Sequence, residues 1–450
     1  GPLVSLLLVR YLGPEQYGLY ASAVAVVTLF GVITDFGLQQ AAVESASAGR
    51  HRLPLVIRTV IYLGGIYSLV AYLAVALWVV AGRYEQVVIR IALTSALAFF
   101  QTPLLSAVTV GLQVRGLYGR IALWNWASST AKWVGTLTAL VARADVFAIV
   151  LWPVMFSWFV TLIMITTEAK GLDLGLKGQA ESPPLRELFQ RAWRFGIAGM
   201  MHQIYHQADQ AMLSLIRDPV EVGHYAVAFR MVEFLNAFPG VVFNQVLYPK
   251  YFLWFRVDRS KIQQYYQMLS KWMLATGVTA AVLVHLFARD IVILLFGPGQ
   301  RPAADFLAIM AWATPARFLA SSAGALLTTG GLIERKIRVQ AIVALVNVSL
   351  NLALIPRYGA LASAALMIGT DAVLGLIYIA VAKHALGMHV WTSTRQVVLA
   401  VTLLSACLGT ALESPREFTV RLVVGCGAVV GAVVYMIAAL NSWELDELRR

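Results

Sequence analysis

Residues 14–23 read Pro-Glu-Gln-Tyr-Gly-Leu-Tyr-Ala-Ser-Ala, and residues 219–228 read Pro-Val-Glu-Val-Gly-His-Tyr-Ala-Val-Ala. Five residues are identical at matching positions, and each stretch opens an apolar run that is long enough to cross a bilayer as a helix. A shorter echo is Thr102-Pro103 against Thr314-Pro315, where proline interrupts a helix. The repeat predicts two parallel halves, each with six helices in the same order and direction.

The composition defines the class of protein. Of the 450 residues, 59% are hydrophobic and 13% are charged, whereas about 25% are charged in a soluble domain. These figures exclude a soluble enzyme, a disordered chain and a coiled coil, and they predict an all-α polytopic membrane protein. We place about fourteen transmembrane helices, as two six-helix lobes plus two C-terminal helices, near residues 2–12, 17–38, 55–81, 86–110, 118–142, 145–168, 188–216, 220–248, 265–296, 303–329, 335–356, 359–386, 393–412 and 418–441.

Basic residues predict the orientation. The net charge is +12, and Lys and Arg concentrate in the loops that are cytoplasmic if the N-terminus is cytoplasmic. We therefore expect a protein of the cytoplasmic (inner) membrane with both termini inside. The expected domains are an N-lobe with a truncated first helix at 1–170, a cytoplasmic linker at 171–186, a C-lobe at 187–387, and two further helices with a tail at 388–450.

Several blocks of sequence occur in a recognisable order. They are Arg10-Tyr-Leu-Gly-Pro-Glu-Gln-Tyr-Gly-Leu-Tyr-Ala, Asp35-Phe-Gly-Leu, Val222-Gly-His-Tyr-Ala-Val-Ala-Phe-Arg, Leu295-Phe-Gly, and Asn347-Val-Ser-Leu-Asn-Leu-Ala-Leu-Ile-Pro-Arg-Tyr-Gly. In this order and spacing they resemble the polysaccharide (Wzx-type) flippases of the multidrug/oligosaccharidyl-lipid/polysaccharide (MOP) exporter superfamily. The resemblance implies the MATE-like fold, in which two six-helix lobes enclose a cavity.

The resemblance also implies a transport function. Such proteins flip a polyprenyl-diphosphate-linked oligosaccharide, for example undecaprenyl-diphosphate-oligosaccharide, by alternating access, and they often couple this step to H+ or Na+. No cofactor is expected. The implied partners are membrane lipids and the glycosyltransferases and polymerase of the pathway, and no nucleic acid is expected. A cation-coupled multidrug antiporter of the same superfamily and a peptidoglycan lipid-precursor flippase remain as alternatives.

Catalytic motifs are missing from the sequence. It contains no Walker loop, no Gly-x-Ser-x-Gly elbow, no His-Glu-x-x-His and no dinucleotide fingerprint. A transporter is therefore expected rather than an enzyme. A membrane glycosyltransferase, polymerase or ligase is the enzymatic alternative, although the outside loops are short for such an active site.

Three cations are predicted to lie inside the membrane. Lys132, Arg230 and Arg317 are about 15–21 Å along their predicted helices, near the middle of a core about 30 Å thick. Buried ionisable groups are costly there, so each is expected to face a cavity or a partner. A diphosphate needs such cations, and the family signature adds Arg10. Glu233, three residues after Arg230 on the same helix face, is expected to orient Arg230 in the substrate-binding site. The alternative is a structural ion pair between these two residues.

Acidic and polar residues are candidates for coupling and gating. His202, His206 and Asp209 share one helix face, and three interpretations remain open: a metal site, a proton or cation site, and polar lining. Asn347 and Asn351 share another face and, with Asp209, could offer oxygen ligands to a monovalent ion. The remaining candidates, each with a hydrogen-bonding or helix-capping alternative, are Asp371 and Asp35, the latter as a gate partner of Arg50 or Arg52.

Overall fold

The structure is a computed structural model that describes residues 2–47, 52–172, 185–240, 242–243, 247–391 and 418–439. All regular structure in these ranges is helical, which confirms the predicted all-α class. The helices up to the repeat's second copy are α1 (Pro2–Gly31), α2 (Leu38–Ser47), α3 (Leu53–Ala81), α4 (Gln86–Ala96), α5 (Thr102–Val114), α6 (Tyr118–Val141), α7 (Val146–Leu172) and α8 (Leu185–Ile216). They are followed by α9 (Pro219–Gly240), α10 (Tyr248–Val257), α11 (Arg259–Phe296), α12 (Ala303–Met310), α13 (Ala313–Thr329), α14 (Ile333–Tyr358), α15 (Ala360–Leu386) and α16 (Phe418–Ala439).

The helices make this a multi-pass membrane protein. Within the described ranges, eight helical segments are long and apolar enough to cross a membrane. The predicted number of about fourteen is consistent with this finding, and the predicted span at 393–412 lies outside the described residues. Four helices, α6, α8, α9 and α13, are not among these eight segments. These four helices carry most of the predicted site residues.

Several predicted spans have different boundaries in the structure. The predicted break between the spans at 2–12 and 17–38 is present as a kink within α1, because Gly13 has a non-helical backbone with φ 69° and ψ 178°. The spans predicted at 86–110 and 303–329 are each broken into two helices. A new helix begins at Thr102 and another at Ala313, so both breaks come directly before the repeated Thr-Pro pair, as the helix-interrupting effect of proline requires.

The chain forms two compact units, Gly1–Gly223 and His224–Arg450. In the first unit, α8 packs against α1 and α2, although the sequence assigns this helix to the second lobe. In the second unit, α13 packs against α11 and α15. Most of the predicted linker at 171–186 lies outside the described residues, and the predicted domain boundaries stay a prediction.

The prolines of the repeated Thr-Pro pair, Pro103 and Pro315, make the same kind of packing contact in their respective units. In the first unit, a Cβ added to Gly64 of α3 would lie 2.6 Å from the Cβ of Pro103. In the second unit, a Cβ added to Gly277 of α11 would lie 2.9 Å from the Cα of Pro315. Each proline thus packs against a glycine of a neighbouring helix, where any side chain would collide. The weak sequence echo therefore reflects a repeated packing contact.

The two copies of the main repeat meet directly. A Cβ on Gly18 would overlap the carbonyl oxygen of Pro219, and a Cβ on Gly223 would lie 2.7 Å from the carbonyl oxygen of Pro14. The start of each copy therefore packs on the glycine of the other copy, backbone against backbone. This reciprocal contact explains why proline and glycine recur four residues apart in both copies.

Candidate functional site

One predicted cation sits in a network of charges inside the second unit. Arg317 of α13 donates from Nε to Oδ2 of Asp371 at 2.9 Å and from its NH2 group to Oδ1 at 3.2 Å. Its NH1 group donates to Oε1 of Glu233 at 2.9 Å. Three helices, α9, α13 and α15, thus each contribute one member of a triad formed by Glu233, Arg317 and Asp371.

Two members of the triad are largely buried, and the third, Glu233, has a side chain that is 35% exposed. The side chain of Asp371 is 1% exposed and that of Arg317 is 12% exposed. Arg317 binds the Asp371 carboxylate through two parallel contacts, which is the strongest geometry available to an arginine. One guanidinium faces two carboxylates, so the triad itself does not offer an unpaired cation to an anionic ligand. Of the two interpretations of Arg317, the geometry favours the ion pair.

The other residues of α9 and α1 have different surroundings. Glu233 contacts Arg317 across helices, whereas the sequence led us to expect it to orient Arg230 on its own helix. The side chain of Arg230 is exposed, as is that of Arg10 in α1. Their proposed roles in substrate binding stay predictions.

Lys132 forms no ion pair with an acidic residue in the part of the chain that the structure describes. It lies in the middle of α6 with its side chain exposed. Among the ion pairs and hydrogen bonds of the described residues, none involves the Lys132 ammonium; only the backbone carbonyl is used, by Thr136. If α6 crosses the membrane as the sequence predicts, the Lys132 ammonium needs water or an anion beside it. Lys132 is therefore the best candidate for binding a negatively charged ligand within the first unit.

Asp35 lies at a helix start. Its Oδ1 accepts a hydrogen bond from the backbone N–H of Gln39 at 3.1 Å, in the first turn of α2. Ser106 of α5 also donates to this oxygen, at 3.5 Å. The capping alternative therefore describes the observed contacts. The gating role stays a prediction, since Arg50 lies outside the described residues and Arg52 is exposed at the start of α3.

The polar face of α8 lies in the first unit. Asp209 is buried, and its Oδ1 accepts from the N–H of Gln210 at 2.8 Å. The His206 ring packs edge-on against Tyr205, and the side chain of His202 is outside the described part of the structure. No group of three or more His, Cys, Asp or Glu suited to a metal ion occurs among the described residues. Asp209 thus stays a candidate for ion coupling, and the supporting observation is that its side chain is buried.

Asn347 and Asn351 form a polar network in the second unit. The Asn351 amide donates to both the carbonyl and Oδ1 of Asn347 at 3.0 Å. Ser363 of α15 donates to Oδ1 of Asn351 at 2.8 Å, and Asn347 donates to Thr370 at 3.4 Å. Both side-chain oxygens already accept hydrogen bonds, so the network joins α14 to α15. Its geometry favours an interhelical tie, and the predicted ion-ligand role stays untested.

Removal of this tie should be measurable. We expect Asn351→Ala to lower the free energy of unfolding by about 1–3 kcal/mol, because it leaves buried polar partners unsatisfied. Thermal unfolding in detergent measures the effect. Ser349→Ala, which removes an exposed hydroxyl from the same helix, is the control and should melt as the wild type does. Equal melting of both variants would contradict the assignment of the network as structural.

One buried carboxylate was missed by the sequence analysis. Glu168 at the end of α7 is 1% exposed, and its Oε1 pairs with Arg120 at 2.8 Å and accepts from the Trp124 indole at 2.7 Å. Two features of the sequence could have indicated this contact. Glu168 is an acidic residue at the end of an apolar span, and Arg120 and Trp124 lie one turn apart on the preceding helix. These contacts fix the start of α6 against α7.

Comparisons with known proteins agree on fold and family. A family model described as "Polysaccharide biosynthesis protein" matches residues 7–303. A structure described as "Lipid II flippase MurJ, inward closed conformation" is 13% identical with a TM-score of 0.70, and the alignment covers 100% of both chains. No curated protein matches the sequence.

Two further structures come from related transporters. An inward-facing multidrug resistance MATE family transporter of the MOP superfamily is 14% identical with a TM-score of 0.60, covering 91% of this chain and 94% of that one. A MOP superfamily transporter from Pyrococcus furiosus, whose structure was described as having a binding pocket of reverse polarity, is 14% identical with a TM-score of 0.51, covering 86% and 95%. At these identities the likeness shows the MOP fold, as predicted.

Proposed function

Because the chain belongs to the polysaccharide biosynthesis protein family, we propose that it flips a polyprenyl-diphosphate-linked oligosaccharide across the cytoplasmic membrane. The family and the fold are those of membrane transporters and flippases. The substrate class, the inner-membrane location with both termini inside, and the coupling to a gradient of H+ or Na+ are parts of this proposal. In it, the protein needs no cofactor and works beside the glycosyltransferases and polymerase of its pathway.

The observation that carries the proposal is the Lys132 ammonium, for which the described residues provide no ion pair. A lipid-linked diphosphate must move its negative charges through the membrane, and a cation at mid-depth lowers the cost of that passage. Lys132 meets this need with its charge uncompensated among the described residues. Arg317, by contrast, is bound by two carboxylates. In the proposed mechanism Lys132 contacts the diphosphate, and the Glu233–Arg317–Asp371 triad holds α9, α13 and α15 together. Arg10 and Arg230 stay separate candidates for substrate binding, each within its own unit.

The test is flipping of a fluorescent undecaprenyl-diphosphate oligosaccharide in proteoliposomes. We expect Lys132→Met to lower the initial rate about tenfold to a hundredfold, because a hydrogen bond to a charged group contributes about 1.5–3 kcal/mol. Lys132→Arg should keep most of the activity. Leu137→Met on the same helix is the matched control and should flip at the wild-type rate.

Other outcomes would redirect the proposal. Wild-type flipping by Lys132→Met at equal reconstitution would remove Lys132 from the site. Imposed gradients of H+ or Na+ identify the coupling ion, and indifference to both would remove the coupling. Efflux of an organic cation without lipid flipping would move the chain to the multidrug antiporters. Flipping of the peptidoglycan lipid precursor alone would instead assign it the substrate named for the MurJ structure.

A further inference from the structure

The exposed surface of helix α6 is polar along one edge and aliphatic along the other. Its buried face packs on α7 through small residues, with Gly135 against Pro153. One edge of the exposed arc carries Asn125, Ser129 and Lys132, at positions i, i+4 and i+7, and all three side chains are exposed. Three polar side chains thus lie along one exposed edge of α6, in the central part of this helix.

The opposite edge of the arc is aliphatic. Leu123, Leu137 and Val141 are exposed there, as expected for a surface in contact with lipid chains. A polar edge and an aliphatic edge on one helix require different surroundings, since polar groups at this depth need water or a polar ligand. The first edge is therefore suited to an aqueous path, and the second is suited to lipid.

Two tryptophans separate the edges. The side chain of Trp126 is 65% exposed and that of Trp133 is 41% exposed. The two residues are seven positions apart, so they lie on the same side of the helix, about 10 Å apart along its axis. Membrane tryptophans usually gather at the interfaces, but Trp133 lies beyond the middle of α6. Trp124, by contrast, points to the other side, where its indole donates to Glu168. The positions of Trp126 and Trp133 are thus not explained by an interfacial belt or by packing against α7.

The combination matches the chemistry of a saccharide. A pyranose ring has an apolar C–H face that packs on a flat aromatic surface, and hydroxyl groups at its rim that need polar partners. Trp126 and Trp133 offer the flat surfaces, and Asn125 and Ser129 offer donors and acceptors beside them. Lys132, adjacent to Trp133, adds a positive charge for the anionic group to which the sugar is attached.

We propose that Asn125, Trp126, Ser129, Lys132 and Trp133 form the saccharide-binding strip of this protein, with the sugar rings on the two indoles and the phosphate group at Lys132. The inference rests on the proposed flippase function and adds the location of the sugar subsite. It commits to one occupant, a glycosylated polyprenyl diphosphate. The aliphatic edge of α6 is not part of the site.

The experiment compares binding of four probes to the purified full chain in detergent. The probes are undecaprenyl diphosphate and its derivatives carrying glucose, galactose or N-acetylglucosamine. We expect the wild type to bind at least one glycosylated probe about tenfold more tightly than bare undecaprenyl diphosphate. The double substitution Trp126→Leu and Trp133→Leu should reduce this preference to within about twofold, because aromatic stacking contributes up to about tenfold per contact.

Controls separate the subsite from general effects. The double variant should keep the wild-type affinity for bare undecaprenyl diphosphate, which shows that it is folded and that Lys132 still acts. Phe159→Leu, which removes an aromatic side chain from α7 that is also 65% exposed, should keep the sugar preference. Retention of the preference by the double variant, or equal binding of all four probes by the wild type, would overturn the strip while leaving the flippase function in place. Absence of binding to every probe would overturn both.

A second measurement does not depend on the sugar. With Cys407 and Cys426 replaced by serine, Asn125→Cys should react with a charged, membrane-impermeant methanethiosulfonate, and the preferred glycosylated probe should slow the reaction. Leu137→Cys should not react. An unreactive Asn125→Cys, or equal rates at both positions, would overturn the assignment of an aqueous edge.

Discussion

Arg317→Met is expected to destabilise the protein by about 3–5 kcal/mol, because it leaves a buried carboxylate without its partner. Asp371 is 1% exposed and receives two hydrogen bonds from this guanidinium, and Glu233 receives a third. Removal of the arginine therefore takes the guanidinium away from two carboxylates, one on α9 and one on α15. The loss is measured as a fall in the unfolding temperature in detergent and in the yield of monodisperse protein.

Matched variants identify the cause of that loss. Arg317→Lys keeps the charge but not the planar fork, and an intermediate loss is expected. The double substitution Arg317→Met and Asp371→Leu removes the buried pair together, so it should be more stable than Arg317→Met alone. Arg338→Met, at an exposed arginine whose pair with Glu334 is long and solvated, should change stability little. A double variant no more stable than the single one would show that Arg317 and Asp371 do not act as a pair.

Gly18→Ala is expected to prevent accumulation of the folded protein. The added methyl group would overlap the carbonyl oxygen of Pro219. The overlap cannot be relieved by a change of rotamer, because an alanine methyl group and a backbone carbonyl have none. The start of α9 would have to move away from α1, which would open the reciprocal contact of the two repeat copies. Gly223→Ala meets the Pro14 carbonyl at 2.7 Å and should give a smaller loss.

The same substitution elsewhere should have the opposite sign. Gly65 lies within α3, and a Cβ added there would have no heavy atom within 4 Å. Gly65→Ala should therefore be neutral or stabilising by up to about 1 kcal/mol, as expected from helix propensity. Membrane-fraction yield and fluorescence-detected size-exclusion profiles measure both variants. Normal yield of Gly18→Ala would contradict the close approach of α1 and α9.

The candidate site was only partly predictable. Hydropathy and depth along a helix identified Lys132, Arg230, Arg317 and Asp371 as residues that need partners, because an isolated charge in lipid is costly wherever it occurs. Which partner each residue takes could not be read in this way. Glu233 was expected to orient Arg230, three residues before it, which stays a prediction, and the structure shows that Glu233 is bound to Arg317, 84 residues away.

The sequence by itself determined the all-α membrane class and predicted which polar residues must avoid lipid, because both depend on local composition and on spacing along one helix. The tertiary structure alone decided that Arg317 is bound by two carboxylates while Lys132 has no ion pair among the described residues, and that Gly18 and Gly223 lie against the opposite copy of the repeat. These are distances between helices far apart in the chain. A periodic pattern specifies which face of a helix is polar, but only the packing of helices decides what that face meets.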